Sequence, residues 1–326
     1  MITLTEQEKQ GLQRYRFIDL FCGIGGFHLA LSSFGAKCVF ASDINEKACN
    51  VYKENFKITP QGDITKIECK DIPSHDILCA GFPCQPFSIS GAKKGFDDKN
   101  GKLFFEIVRI AGFHKPKVIF LENVSNLEAH DSGNTLATIK EELKGIGYQT
   151  FAKVLNSSDY CVPQARKRIY IIAFRNDLGI ENFCFPQPNE HIACVEDILE
   201  QSVDSKYAIT RKDIVISDNT EHEKSKKLIR IGSVGPGRQG ERIYSVKGPA
   251  TTLSSQGGGP GGKTGIYKVE NITRVLTPRE CARVMGFPDN FILVGSDFDS
   301  YTQFGNSVVV NVIQEITKEI IKKIEG

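Results

Sequence analysis

The sequence predicts an α/β protein with a doubly wound, mainly parallel sheet, and three observations support this. Short apolar runs alternate with segments of helical periodicity over residues 16–175. Alternation of this kind favours parallel strands with helices on both faces of the sheet. The chain of 326 residues can also hold one large domain, or a large and a small one. Finally, the composition changes after about residue 190, which predicts a second domain of a different structural class.

The predicted strands of the first domain are five apolar runs. In chain order they are RFIDLF (16–21), KCVFAS (37–42), HDILCA (75–80), KVIFLE (117–122) and KRIYIIAF (167–174). Between them lie the segments GGFHLALSSFG, NEKACNVYKENF, GKLFFEIVRIAGF and GNTLATIKEELKGIG, of which the first two and the last have the pattern of amphipathic helices. Ligands of such sheets bind at the carboxyl ends of the strands, so functional side chains are expected there.

The second domain is predicted to be small, glycine-rich and mainly β. Eleven glycines occur from Gly232 to Gly265, and seven Lys or Arg face one acid from Lys224 to Lys247. Two interpretations of these features are equally consistent with the sequence. One is a solvated surface insert, and the other is a domain whose glycines bring its backbone close to a phosphate polymer. The closing segment regains helical periodicity, so the second domain is an insertion. The predicted boundaries are 1–195 for the first domain, 196–277 for the second domain, 278–305 for a hinge and 306–326 for a returning helix.

Composition limits the class of protein. The net charge of +2 is too small to indicate a polyanion partner by itself. The ten cysteines include no CxxC pair and no zinc-finger spacing, so we expect no metal and reduced thiols. The N-terminus is polar, and no apolar run approaches 18 residues. These features predict a cytoplasmic protein with no membrane segment.

A glycine turn after the first strand predicts a nucleoside site. FIDLFCGIGG (17–26) places Gly23 and Gly25 between a strand and a helix, where backbone N–H groups can approach a ligand. Asp43 follows the second strand and suits a ribose diol, while Asp63 in GDIT suits an adenine amino group. The spacing is not that of a dinucleotide fingerprint, so an adenosyl ligand without a pyrophosphate fits better than NAD.

Three further strand ends carry residues with reactive or charged side chains. GFPCQPFSISG (81–91) holds Cys84 between two prolines. Neither a helix nor a central strand can continue through these prolines, so Cys84 is predicted to lie on a stiff loop. Glu122 ends an apolar strand, and is either a structural cap or an acid with a raised pKa. Arg166 and Arg168, two residues apart in PQARKRIYIIAF (163–174), either form surface ion pairs or clamp a carbonyl or anion.

Six motifs in this order resemble those of bacterial cytosine-5 DNA methyltransferases, in particular the HhaI type. They are DLFCGIGG, GFPCQPFS, ENV, QARKR, RECARVMGFP and GNSV, and GERIYS (240–245) adds to the resemblance. The resemblance implies that Cys84 attacks carbon 6 of cytosine and that Glu122 protonates or hydrogen-bonds ring nitrogen 3. It further implies that Arg168 holds the cytosine carbonyl, with Arg166 near the nucleophile.

The resemblance also implies S-adenosylmethionine as cofactor and S-adenosylhomocysteine as product. The implied cofactor contacts are Phe21, Gly23, Gly25, Asp43, Ile44, Asp63, Ile64, Gly81, Pro83, Leu103, Phe287, Asn306 and Val308. Asp43 and Ile44 stand where relatives tend to have glutamate and tryptophan, which predicts a weaker grip on the adenine. Cys22 replaces a small residue and is interpreted as packing.

The resemblance implies that residues 1–195 carry catalysis and cofactor binding and that residues 196–277 carry target recognition. The implied partner is double-stranded DNA, with a target cytosine flipped out of the duplex. The implied DNA contacts are Ser88, Ser90, Lys93, Lys94, Gln239, Arg242 and Thr252. The HhaI type targets the inner cytosine of GCGC, and a separate restriction endonuclease is a possible companion. Alternatives are a tRNA cytosine-5 methyltransferase, an NAD-dependent oxidoreductase, which leaves Cys84 unexplained, and an inactive DNA-binding module.

Overall fold

The computed structural model describes residues 4–83, 102–217 and 221–326. The chain forms two compact units. One, here called the sheet unit, contains residues 4–155, 167–186 and 314–326. The other contains residues 156–166 and 187–313, and it is called the recognition unit after the role that the resemblance implies for residues 196–277. The functional boundaries given above remain a prediction.

The sheet unit is built on a six-stranded sheet of the order β2-β1-β3-β4-β6-β5. Its strands are β1 Arg16–Leu20, β2 Lys37–Ser42, β3 Ile77–Gly81, β4 Val118–Val124, β5 Tyr148–Asn156 and β6 Lys167–Arg175. The first four pair in parallel, and β6 runs antiparallel to β4. The doubly wound, mainly parallel sheet predicted from the sequence is confirmed.

The order of the strands fixes where a ligand can bind. From β1 the chain passes to β2 on one side and later returns to β3 on the other side. At such a switch point the connections leave the carboxyl ends of the two central strands in opposite directions, which opens a crevice. The crevice therefore lies after Leu20 of β1 and Gly81 of β3.

Helices of the sheet unit lie before β1 and between the strands. They are α1 Glu6–Lys9, α2 Gly26–Ser32, α3 Glu46–Phe56, α4 Lys102–His114 and α5 Asn134–Gly145. Apolar side chains of β1, β3, β4 and β6 pack against α4 and α5 in one continuous core. Near the end of the chain lies α8, Val310–Ile324, whose Ile321 packs against Gly11 and whose Gln314 donates to the Ser33 hydroxyl at 2.9 Å.

The recognition unit contains a five-stranded sheet of the order β11-β10-β9-β8-β7. The strands are β7 Ile214–Ile216, β8 Arg230–Val234, β9 Arg242–Ser245, β10 Ile266–Val269 and β11 Ile272–Arg274, and the helices are α6 Pro278–Val284 and α7 Asp297–Asn306. Among these five described strands, β9 and β10 pair in parallel and the other neighbours pair antiparallel. A small cluster of isoleucines and Val234 forms its core, so the predicted mainly β character is confirmed.

A buried ion pair fixes the sheet of this unit to α6. Arg274 at the end of β11 donates to both carboxylate oxygens of Glu280, at 2.7 and 2.6 Å, and both side chains are buried. Glu280 also accepts the N–H of Thr277, the N-cap of α6. Bidentate geometry of this kind offsets the cost of burying two charges. The start of α6 is thereby held against β11.

Two buried histidines predict how stability depends on pH. Burial lowers the pKa of His28 to about 4 and that of His75 to about 4. The unfolded chain has histidine pKa values near 6.5, so it binds more protons than the folded chain below that pH. Stability should fall as the pH drops from about 6.5 towards 4, by on the order of 3 kcal/mol for each histidine.

Replacing His75 by glutamine tests this. Its Nδ1 lies 2.9 Å from the Pro73 carbonyl, a contact that an amide can also make. Denaturant unfolding of His75→Gln should show a shallower loss of stability between pH 7 and 5 than the wild type. The matched change at exposed His191 is the control. Parallel wild-type and His75→Gln curves would refute the assignment.

Candidate active site

The turn after β1 is shaped by left-handed backbone conformations. Phe21, Gly23 and Gly25 have φ values of 54°, 53° and 86°. Gly25 is the N-cap of α2, and a Cβ there would lie 2.2 Å from the ring of Phe56, so only glycine fits. At Gly23 a Cβ would meet no atom within 4 Å. The turn is therefore closed on the Gly25 side and open at Gly23.

Two acids surround this turn, as the sequence predicts. The Asp43 carboxylate accepts the N–H of Gly23 and of Asn45, each at 2.8 Å, so it is fixed between the ends of β1 and β2. Asp63 caps a short 3-10 turn, and its hydrogen bonds to the Thr65 hydroxyl and N–H lower its pKa. The Asp43 N–H donates to Gln61, two residues before Asp63. Both acids thus lie at the same edge of the sheet.

The side chains at this edge of the sheet fit an adenosyl group. Ile44, beside Asp43, is 77% exposed and offers an apolar face. Carboxylates suit the ribose hydroxyls and the adenine amino group, because both are hydrogen-bond donors. The open space at Gly23 allows close approach to the backbone. The residues of this edge can therefore hold S-adenosylmethionine.

A buried acid in β1, two residues before the turn, was not singled out from the sequence. Asp19 of β1 is fully buried. Burial, and secondarily the charge of Asp43, raises its pKa well above the usual range, although the His28 N–H acts in the opposite direction. The surroundings therefore favour the neutral form of this carboxyl group more than water does. An acid within an apolar strand was the available signal.

The ends of β4 and β6 bring two predicted catalytic side chains together. Arg168 Nε lies 3.2 Å from Glu122 Oε1, and both side chains are largely buried. Glu122 is the register partner of Gly81 at the end of β3. The pair therefore lies at the carboxyl edge, beside the strand that leads into the GFPC motif.

Asn123 of β4 links this strand to Phe82, the residue after β3, and was not predicted from the sequence as a site residue. Its amide donates to the Phe82 carbonyl at 3.0 Å, and its carbonyl accepts the N–H of Val124 at 2.8 Å. Gly81 is partly buried, Pro83 is exposed and Leu103, in the first turn of α4, is partly buried. Cys84, Ser88, Ser90, Lys93 and Lys94 lie outside the described residues.

Four of the described cysteines are packing residues. Cys22, Cys38, Cys79 and Cys281 are buried. Burial raises the thiol pKa of Cys38 to about 12 and those of the other three well above the usual range. Buried neutral thiols of this kind are inert, which fits the interpretation of Cys22 as packing.

Arg166, in the recognition unit, is surrounded by backbone carbonyls. The buried guanidinium donates to Leu253 at 3.1 Å, Gly305 at 3.1 Å and Ser307 at 2.9 Å. Between the last two carbonyls lies Asn306, which is exposed. Arg166 therefore holds the segment around Leu253 against the segment around Asn306. Its predicted place near the nucleophile stays a prediction.

The other predicted cofactor contacts of the recognition unit are less accessible than Asn306. Val308 is 6% exposed. Phe287 is buried and packs edge-on against Phe291 and Phe304, with ring centroids at 4.8 and 5.4 Å. This surrounding is that of a core aromatic side chain, and the cofactor role of Phe287 remains a prediction.

Two glycine loops of the recognition unit pack backbone against backbone. Gly240 has a φ of 84°, and a Cβ there would lie 2.3 Å from the Gly258 carbonyl oxygen. The Gly261 N–H donates to the Gly240 carbonyl at 2.8 Å. Gln239 lies directly before Gly240, and Arg242 is the first residue of β9. Both side chains are exposed. The glycines thus hold two exposed polar side chains on a compact support.

Other predicted interface residues are already engaged within the unit. The Thr252 hydroxyl donates to the Ala165 carbonyl at 2.6 Å. In the basic segment, Lys224 pairs with Asp197 at 2.6 Å, and Lys247 pairs with Glu196 at 2.8 Å. These two lysines have local structural partners, so the segment is less cationic than its sequence suggests.

The described residues contain neither a metal-binding cluster nor a membrane-spanning helix. No group of three or more His, Cys, Asp or Glu side chains there could hold a metal ion. No helix within the same residues is long and apolar enough to cross a membrane.

A mainly parallel sheet with a glycine turn and acids at its carboxyl edge defines a nucleoside-binding α/β protein. The model of the C-5 cytosine-specific DNA methylases matches residues 15–322. The chain is 52% identical to the type II methyltransferase M.HhaI of Haemophilus parahaemolyticus, over 98% of this chain and 97% of that protein. It is 39% identical to M.HpaII of Haemophilus parainfluenzae, over 96% and 90% of the two chains.

Solved structures agree on the fold. The crystal structure of the S. pombe Dnmt2 methyltransferase superposes with a TM-score of 0.73 at 23% identity, covering 96% of this chain and 99% of that one. The chain belongs to the C-5 cytosine-specific DNA methylase family. It is an S-adenosylmethionine-dependent DNA cytosine-5 methyltransferase, as the motifs predicted.

Proposed function

We propose that this enzyme methylates the inner cytosine of GCGC in duplex DNA by covalent catalysis from Cys84. The observation that carries the chemistry is the Glu122–Arg168 pair beside Gly81, at the end of the strand that leads to Cys84. An acid and a cation held together at that edge can bind the polar side of a pyrimidine. A target inside a duplex is inaccessible, so the cytosine must be flipped out.

In the proposed reaction the Cys84 thiolate adds to carbon 6 while Glu122 gives a proton or hydrogen bond to nitrogen 3. Arg168 holds the carbonyl oxygen. The negative charge that the base gains as the carbon–sulfur bond forms is therefore stabilised at nitrogen 3 and at the carbonyl oxygen. Bound S-adenosylmethionine supplies the electrophilic methyl group for carbon 5. Loss of the carbon-5 proton then breaks the carbon–sulfur bond and restores the thiolate.

The residues around the Gly23 turn are proposed to hold the cofactor. Asp43 would bind the ribose, and Asp63 with Ile64 the adenine edge. The exposed face of Ile44 would lie against the ring. Arg166 would position the segment that contains Asn306, through the carbonyls on either side of it.

The exposed side chains on the glycine loops support the proposed target. Arginine pairs bidentately with the major-groove edge of guanine, which suits Arg242. Gln239 is proposed to fill the space that the flipped cytosine leaves. We further propose a role in a restriction-modification system of the cytoplasm, beside a separate endonuclease.

The target is tested by methylating plasmid DNA and mapping the product with bisulfite sequencing. Methyl groups are expected at the inner cytosine of GCGC, which should then resist an endonuclease blocked by that modification. Arg242→Ala should lose roughly 1–3 kcal/mol of discrimination at one guanine.

Arg211→Ala is the matched control, because Arg211 is an arginine of the same unit that pairs with Asp213 at 2.6 Å. It should leave the sequence preference unchanged. Methylation mapped to another sequence, with GCGC still cut, would contradict the proposed target and leave the family assignment intact.

A further inference from the structure

The segment that carries Asp63 and Ile64 depends on a side chain from α4. Residues 63–72 contain only two 3-10 turns, Ile64–Lys66 and Cys69–Asp71. Such short turns supply few internal hydrogen bonds, so the segment needs outside partners. On its N-terminal side, the Gln61 N–H donates to the Ala41 carbonyl at 2.8 Å.

Arg109 of α4 supplies partners for the rest of the segment. Its Nη2 donates to the carbonyls of Ile64 at 3.2 Å and Ile67 at 3.0 Å. Its Nη1 donates to the Cys69 sulfur at 2.9 Å. One guanidinium thus contacts three residues spread over six positions of a segment with little structure of its own.

The guanidinium is itself held in place. Its Nε donates to the Glu106 carboxylate at 2.7 Å, one turn earlier on α4. Further along the same helix, a ring nitrogen of His114 lies 2.9 Å from the Cys69 carbonyl oxygen. A planar guanidinium that is fixed on one side by a carboxylate can orient several hydrogen-bond acceptors on its other side. Therefore the position of α4 determines the position of the segment.

Two parts of the proposed cofactor site consequently share one support. Leu103 lies in the first turn of α4, and Asp63 and Ile64 lie on the segment that Arg109 holds. We propose that Arg109 is a positioning residue that sets the adenine-recognising edge of Asp63 and Ile64, and so determines selectivity for adenine. This inference rests on the proposed cofactor role of those two residues.

The test compares two ligands that differ only at the purine edge. S-adenosylhomocysteine has an amino group that a carboxylate can accept from, whereas S-inosylhomocysteine has a carbonyl oxygen there. A site built to accept a hydrogen bond rejects an analogue that lacks the donor. The wild-type enzyme should prefer the adenine ligand in calorimetry, and Arg109→Gln should reduce that preference about tenfold.

Kinetics give a second measurement. Arg109→Gln should raise KM for S-adenosylmethionine about tenfold with kcat at saturation changed by less than about threefold, because the reacting groups are untouched. Arg109→Lys keeps the charge and some donors and should be intermediate, and it carries the test if the glutamine variant does not fold.

Arg175→Gln is the matched control. Arg175 also ties a backbone carbonyl, that of Lys115, and pairs with Asp177, but it ends β6 at the opposite edge of the sheet. It should lower the melting temperature without changing the ligand preference.

The outcomes separate the inference from the proposal beneath it. If the wild type does not distinguish the two ligands, the role of Asp63 fails and the inference fails with it. If the wild type distinguishes them and Arg109→Gln does so equally well, or loses affinity for both ligands equally, the inference alone is overturned.

Discussion

Replacing Cys84 by serine is expected to abolish methyl transfer and the covalent adduct with duplex DNA that carries 5-fluorocytosine at the target. A thiol has a pKa of about 8.5 and supplies thiolate near neutral pH, whereas a serine hydroxyl ionises far less. Fluorine at carbon 5 cannot leave as a proton does, so the wild-type enzyme should remain bound to carbon 6. The adduct is measured by denaturing gel electrophoresis.

The control for this experiment is Cys184→Ser, because Cys184 is an exposed cysteine. It should form the adduct in full. The buried cysteines are poor rivals, since burial raises their thiol pKa. An adduct of wild-type yield with Cys84→Ser would show that another group attacks the base, and would overturn the proposed mechanism.

Replacing Glu122 by glutamine should lower kcat by about 10²–10⁴-fold, the range of general acid–base assistance. Glutamine keeps the shape of the side chain but cannot give a proton to nitrogen 3. It also removes the charge that lies 3.2 Å from Arg168, so the arginine should hold the cytosine less well. Single-turnover methylation at saturating cofactor measures the effect, and calorimetry should show nearly unchanged binding of S-adenosylhomocysteine.

Glu128→Gln provides the control, since Glu128 is an exposed glutamate six residues further along the chain. It should retain wild-type turnover. Arg168→Gln and the double variant complete a cycle, in which the two losses are expected to be strongly non-additive because the side chains act on one base. Wild-type turnover in Glu122→Gln would instead identify Glu122 as the structural cap that the sequence left open.

The candidate site was predictable to the extent that each residue belongs to a short local motif. Gly23, Asp43 and Glu122 follow apolar runs, and the structure places each at a strand end. Arg109 and Asn123 were not predicted, because their importance lies in contacts with Ile64 and Phe82, 45 and 41 residues away. Arg166 was predicted as a catalytic residue, but its contacts to carbonyls 87 to 141 residues away have no signal in the local sequence.

The sequence by itself determined the family, the alternation of strands and helices, and the residue types at the strand ends. These properties are encoded over a few neighbouring residues, through apolar runs, glycine turns and proline. Tertiary structure alone decided the order of the strands, the antiparallel direction of β6, and the strand β5, whose mostly half-buried residues show no regular alternation. It also decided that Arg168 lies against Glu122 and that Arg109 holds the Asp63 segment. Such pairings depend on which parts of the chain, distant in sequence, bury their apolar side chains against each other. A local sequence pattern cannot predict this packing.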